Sequence, residues 1–368
     1  MLRLIANALL LSVIFILPSC GGSQPQPPPP VPKKSFAYTA NYASGDISVF
    51  EVDAKTGMLA SVPSGTTSTA PGPVFVTVDP QGKLLFVANT AANQLSVYKI
   101  SAGTGSLTPV GGSPFATGNG PNSVTTDPQG KFVYVTNALS NDISAFAIDP
   151  ATPTLVKVAD SPFATGNNPV YALVDSSSMF LYTTNNNSND IWQFTIEPGT
   201  GKLTPANGSP FPAGSIPAGI VIHPLHQFAY AANDGSNDIS AYTVDSTTGN
   251  LTPMAGGRTQ AGFGPVTLRL LPSGKFLYVA NGTSNNISAY SVDTATGALA
   301  EIAGSPFAAG TGPFSIALDP DAKFLYTANI FSNDISVFTI DSTSGKLTPL
   351  ATTPAGQQPY SVVVTPLI

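Results

Sequence analysis

The sequence predicts an all-β fold: a seven-bladed β-propeller of four-stranded antiparallel blades, with the ring closed by the C-terminal strand pairing in the first blade. Three observations carry this expectation. First, the stretch KFVYVTNALSNDISAFAID, Lys131 to Asp149, recurs along the chain. Its Asn137 has counterparts at Asn41, Asn89, Asn185, Asn233, Asn281 and Asn329, each 48 residues from the next. Such a period marks an architecture built of repeats. Second, 34 Gly, 35 Pro and only 9% charged residues suit short strands joined by tight turns. Third, the ends are complementary. The first repeat begins at a second strand, Phe36 to Thr39, and the chain finishes on a first strand, Tyr360 to Thr365.

Residues 1–20 read as an export signal. Arg3 supplies the positive start, and Leu4 to Leu17 is an apolar run shorter than the about 20 residues a membrane-spanning helix needs. Leu17-Pro18-Ser19-Cys20-Gly21 resembles a bacterial lipoprotein box. That resemblance implies cleavage, lipidation of Cys20 and attachment to a membrane; an ordinary secretory signal is the alternative. Cys20 is the only cysteine, so the folded part has neither a disulfide nor a thiol for metal or nucleophilic work. Residues 21–32, GGSQPQPPPPVP, form a Pro-rich linker that favours a semi-rigid polyproline spacer. Residues 33–368 carry the repeat without a break, which leaves no boundary for a second domain.

One repeat supplies four strands. Pro121 to Asp127 is strand a, and Asp127-Pro128-Gln129-Gly130 is a turn. Phe132 to Thr136, rich in β-branched and aromatic residues, is strand b. Ala138 to Asn141 loops to strand c, Asp142 to Ile148. Strand d begins after a turn such as Asp245 to Gly249, and a Gly-Ser-Pro-Phe element then leads outward. A four-stranded sheet cannot bury both faces alone, whereas sheets stacked radially can. Val76, Val124, Ala172, Ile220, Leu268, Ile316 and Val362 hold one equivalent site in strand a, as that packing requires. Closure is expected to set Val362 alongside Ala37. Hairpin connectivity puts the b–c and d–a loops on one face, the top.

The composition also excludes some functions. A formal charge of −6 without clustered Lys and Arg argues against nucleic-acid binding. No Gly-rich phosphate loop opens a helix, and no cofactor is expected. Asp46, Asp142, Asp190, Asp238 and Asp334 lie one to a blade. Spread around a ring, they cannot converge on one calcium ion needing 6–8 ligands, so no metal is expected. Each Asn-Asp pair instead closes its own b–c loop through hydrogen bonds to backbone.

Tyr134-Val135-Thr136-Asn137 and Tyr278-Val279-Ala280-Asn281 resemble the YVTN β-propeller repeat. The fuller pattern SNDISAF-x-ID-x-x-TG-x-LTP is similar to the seven-bladed lactonase-like family, which includes 6-phosphogluconolactonase-type proteins. The resemblance runs from about Lys33 to Ile368. It implies a cyclic ester opened by water at the channel top, with His, Arg or Glu supplying a base and oxyanion donors. The top-facing start of strand a offers instead Val74, Asn122, Val170, Ala218, Val266, Phe314 and Tyr360, with no histidine.

Departures from the repeat are the remaining candidates. Arg269 stands where other blades have Thr77, Thr125, Leu173, Val221, Ala317 and Val363; it either lines the channel as an anion contact or bonds neighbouring carbonyls. His223 and His226, the only histidines, fall in a bottom-face turn, so no Ser/His/Asp set is expected. Arg258 replaces the Ser-Pro-Phe proline and reads as a solvated outer charge. Trp192 replaces a strand c serine and either fills a gap between blades or offers a stacking platform.

Two functions are thus expected. One is an exported binding or scaffold module of the cell envelope, periplasmic or on the surface. It would present the top face to a carbohydrate, small lactone or protein through Asn122, Arg269, Phe314 and Tyr360. The other is a lactone hydrolase of the central channel, with Arg269 as its catalytic candidate.

Overall fold

The computed structural model describes residues 33–368. The expected export signal, the expected lipidation site at Cys20 and the expected Pro-rich linker lie outside the described residues. The repeat forms seven antiparallel sheets, each ordered a-b-c-d from the channel outward. In blade 3, strand a is Pro121–Thr126, strand b Phe132–Asn137, strand c Asp142–Ile148 and strand d Leu155–Lys157 followed by Phe163–Ala164. Blade 1 joins the chain's two ends. Pro359–Val364 is its strand a, against Ser35–Asn41, Asp46–Val52 and Leu59–Ser68.

The closing strand pairs as expected, but in a different register. Val362 faces Thr39, and Ala37 faces Val364. The other blades explain the two-residue offset. Val76 faces Val87 and Val124 faces Val135, and Thr39 is the blade 1 counterpart of those partners.

Strand b is buried along its whole length in every blade, because sheets cover it on both faces. Core clusters therefore span seams. Leu84 and Phe86 of blade 2 pack with Val124 and Val133 of blade 3, for example.

The tyrosine of the repeat fastens neighbouring blades. Tyr134 donates its phenol proton to the Gly201 carbonyl of blade 4 at 3.0 Å, and Tyr38, Tyr182, Tyr230, Tyr278 and Tyr326 do the same to the next blade's turn glycine. Each of these glycines has φ near +70°, and an added Cβ would strike an aromatic ring across the seam. Blade 2 has Phe86 at the tyrosine site, and it faces the one c–d turn, Asp149 to Thr154, that lacks the glycine.

The loops are closed differently from expectation. In blade 3, the Asp142 carboxylate accepts from the Asn137 side-chain amide at 2.6 Å, and Ser144 Oγ accepts from the same amide at 3.0 Å. The bonds are side chain to side chain because Asn137 lies inside strand b with its backbone already paired. The neighbouring Asn141 instead accepts from the Asn168 backbone N–H in the following d–a loop, at 2.8 Å. The Ser-Pro-Phe element also has a role in the outer strand. In the four blades that carry it, the serine hydroxyl accepts a strand c N–H, as Ser161 does from Ala145 at 2.9 Å. Strand d is broken there because proline has no N–H for the ladder. In blades 1, 5 and 7 strand d is continuous.

Candidate functional site

Strand a of each blade lines the central channel, so equivalent positions meet around one axis. Phe75 of blade 2 and Tyr171 of blade 4 reach toward each other with ring centroids 5.9 Å apart, edge to face. Both belong to the walls of two cavities, an upper one of about 180 Å³ and a lower one of about 640 Å³. Other blades place Ser, Gly or Thr at this position. Where that residue is serine, its hydroxyl stitches adjacent inner strands: Ser123 Oγ accepts from Ala172 N–H and Ser361 Oγ from Val76 N–H, each at 3.3 Å. Two aromatic replacements among small residues were the sequence signal for this partition.

The upper cavity brings together Asn122, Phe314 and Tyr360. Phe314 and Tyr360 meet edge to face at 5.1 Å, and Tyr42 packs on Tyr360 at 5.5 Å. Burial pushes the Tyr360 phenol above its ordinary pKa. Two further polar residues, missed in the sequence, complete this wall: Asn186 and Asp234. Each directly follows the repeat's strand b asparagine, where Thr90, Ala138, Gly282 and Ile330 stand in other blades. The first loop residue therefore faces the channel mouth. Asn186 Oδ1 is buried without a hydrogen-bond partner. The Asp234 side chain reaches solvent at the rim, yet the surrounding walls remove enough water to push its carboxyl above the usual carboxylate range. Among the described residues, no Lys, Arg or His lines this cavity.

Arg269 does not join that group. It lines the lower cavity, where Nη1 donates to the Tyr171 phenol oxygen at 2.9 Å and to the Leu268 carbonyl at 3.1 Å. The four ligand-binding candidates are thus divided by the Phe75–Tyr171 pair. Residues two apart on a strand share a face and lie about 6.6 Å apart, so Arg269, two residues below Thr267 on blade 6, enters the channel below the partition. Among the described residues, no carboxylate forms an ion pair with its guanidinium.

The lower rim is made of the a–b turns, and it corrects the expectation that no Ser/His/Asp set exists. His223 and His226 do lie in a bottom turn. That turn, however, meets the corresponding turn of blade 4. His226 Nδ1 lies 3.2 Å from Asp175 Oδ2, and His226 Nε2 lies 2.5 Å from Ser176 Oγ. His223 lines the cavity beside them; burial lowers its pKa, and its Nδ1 accepts from Leu225 N–H. Arg258 is not simply solvated. It pairs with Asp238 across strands at 3.2 Å. Trp192 lies against the core cluster between blades 3 and 4, with its ring stacked on Phe194, and it lines neither channel cavity. Among the described residues, no three His, Cys, Asp or Glu side chains gather as they would around a metal.

Solved structures share this fold. A Bacteroides uniformis protein provisionally named a 6-phosphogluconolactonase superposes with a TM-score of 0.79 at 22% identity, over 90% of this chain and 99% of that one. A Bacteroides fragilis protein of the same provisional name gives 0.79 at 20%, over 90% and 98%. The periplasmic gluconolactonase of Pseudomonas aeruginosa gives 0.77 at 19%, over 91% and 100%. At such identities the likeness shows the fold alone. No curated protein matches the sequence significantly. The family model for lactonase, 7-bladed beta-propeller, matches residues 30–262 and 256–364, so nearly all of the repeat region is covered and the chain belongs to that family.

Proposed function

We propose that the upper cavity binds one uncharged, sugar-sized ring, a carbohydrate or a sugar lactone. The observation that carries this is its lining. Aromatic rings of Phe314 and Tyr360 offer an apolar face, Asn122 and Asn186 offer amides, and Asn186 Oδ1 is left without a partner inside the protein. A buried polar group of that kind gains from a ligand hydroxyl. The absence of a cation from this lining disfavours a phosphorylated ligand.

Hydrolysis of the bound lactone is a second reading, favoured by Asp234. A carboxylate with a raised pKa is a stronger base toward water. The lactonase family supports it too. The export signal and lipoprotein box support a place at the cell envelope, with Cys20 anchoring the domain to a membrane and residues 21–32 holding it away.

Titration calorimetry with neutral sugars, aldonolactones and a phosphorylated lactone tests the binding reading. The expected result is binding of a neutral ring that weakens at least tenfold in Asn122→Leu. Tighter binding of the phosphorylated compound would overturn it. Lactone turnover that disappears in Asp234→Asn, with binding retained, would establish the second reading.

A further inference from the structure

The a–b turn of the repeat reads Asp-Pro-x-Gly in blades 2 and 3: Asp79-Pro80-Gln81-Gly82 and Asp127-Pro128-Gln129-Gly130. Only one turn lacks the proline, and Ser176 stands there. Only one turn places histidine at the glycine position, and that is His226. The scaffold requires neither change, yet the two changed positions are in contact across the seam between blades 4 and 5.

The contact has the polarity of a nucleophile, a base and an orienting acid. Asp175 is buried and held by its own turn: Oδ1 accepts the backbone N–H of Met179 and Phe180, at 3.1 and 2.9 Å. Its Oδ2 faces His226 Nδ1 at 3.2 Å. In the tautomer that carries its proton on Nδ1, the side facing Asp175, Nε2 is the acceptor and the Ser176 hydroxyl donates to it at 2.5 Å; Asp175 Oδ2 also accepts from the Ser177 hydroxyl. Ser176 is exposed, and Asp175 and Ser176 both line the lower cavity of about 640 Å³. Arg269 lines the same cavity with no acidic partner among the described residues.

We propose that Ser176, His226 and Asp175 form an esterase-type site at the lower mouth, which takes a carboxylic ester carrying a negative charge, with Arg269 holding that charge. Ser176 Oγ bonds to the ester carbonyl carbon while His226 Nε2 takes the hydroxyl proton. The ester C–O bond then breaks, and His226 returns the proton to the leaving alcohol. A water molecule repeats the sequence on the acyl-serine, releasing the acid and restoring the serine hydroxyl. One water is consumed, and nothing is oxidised or reduced. Asp175 keeps the imidazole oriented and stabilises its protonated form.

The test uses the domain with diisopropyl fluorophosphate, which loses fluoride on attack by an activated serine, and with 4-acetoxybenzoate against uncharged phenyl acetate. The expected adduct sits on Ser176 and forms at least tenfold more slowly in His226→Gln. Ser176→Pro restores the repeat's own residue, so it tests the nucleophile in a turn the scaffold already tolerates; it should fold normally and lose ester turnover. The preference for 4-acetoxybenzoate should vanish in Arg269→Gln. Absence of a Ser176 adduct, labelling at the wild-type rate in His226→Gln, or turnover retained in Ser176→Pro would overturn the site and leave the contact a bridge between turns. A charge preference that survives Arg269→Gln would overturn the part assigned to that residue.

Discussion

The two ends of one channel are built from the same seven strands and end in different chemistry. At the upper end, strand a and the first b–c loop residue contribute amides, aromatic rings and the single carboxylate Asp234. At the lower end, the a–b turns contribute Asp175 and Ser176, with Arg269 and His223 in the walls. The Phe75–Tyr171 pair stands between them. The difference teaches where a repeat protein can acquire chemistry. Strand b is buried in every blade and tolerates little change, whereas turn and loop positions vary while the sheets remain intact.

The largest expected effect comes from removing a wall common to both ends. Ending the chain at residue 358 deletes Pro359–Val364, which carries Tyr360 at the upper cavity and Val363 at the lower. It also strips the backbone partners of Ala37 to Asn41 and exposes a strand edge. Circular dichroism should then show no cooperative unfolding transition.

Breaking the partition alone should cost less. Tyr171→Ala removes a buried ring and the hydroxyl that receives Arg269 Nη1, a loss of about 3 kcal/mol by the usual cost of large-to-small core changes. Chemical denaturation measures that loss. Ligand titration should then find the upper and lower preferences no longer separate.

Alkaline pH should weaken both ends together through the seams. Burial raises the pKa of Tyr38, Tyr134, Tyr182, Tyr230, Tyr278 and Tyr326 above the tyrosine range. Their unfolded value is about 10, so the stability they contribute is whole below that pH and is lost as pH climbs through the folded value. Tyrosinate absorbance and loss of β-structure should therefore rise together above pH about 10. Tyrosinate appearing fully at pH about 10 with the fold intact would contradict the buried phenol bonds.

The smallest effect is at Asp234. Its raised pKa means that folding penalises the charged form, with the penalty present at neutral pH and absent below the unfolded value of about 4. Asp234→Asn should be slightly more stable at pH 7, with the gain vanishing on acidification in paired thermal melts.

Much of this was legible because a repeat aligns itself. The spacing of Asn41 through Asn329 gave the blade number, and the unmatched first and last strands gave the closure. The channel-mouth positions of Asn122, Phe314 and Tyr360 followed from the same register. Arg269 could not be placed above or below the partition, since the partition depends on rings from blades 2 and 4 that meet across the axis. Asp234 and Asn186 were hidden in loops judged by their turn chemistry. Ser176 and His226 were hidden for another reason. They lie 50 residues apart, and a comparison within single blades does not show that adjacent turns touch. The two-residue slip at Val362 arose in the same way, from pairing chosen by strand rather than by residue.

The central claim is that one channel holds two chemically distinct ends. Crystals soaked separately with a neutral aldonolactone and with 4-hydroxybenzoate, the product anion of the test ester, examine it most directly. The lactone is expected among Asn122, Asn186 and Asp234, and the carboxylate on Arg269 below Tyr171. Finding the anion in the upper cavity, or both molecules at one end, would contradict the account.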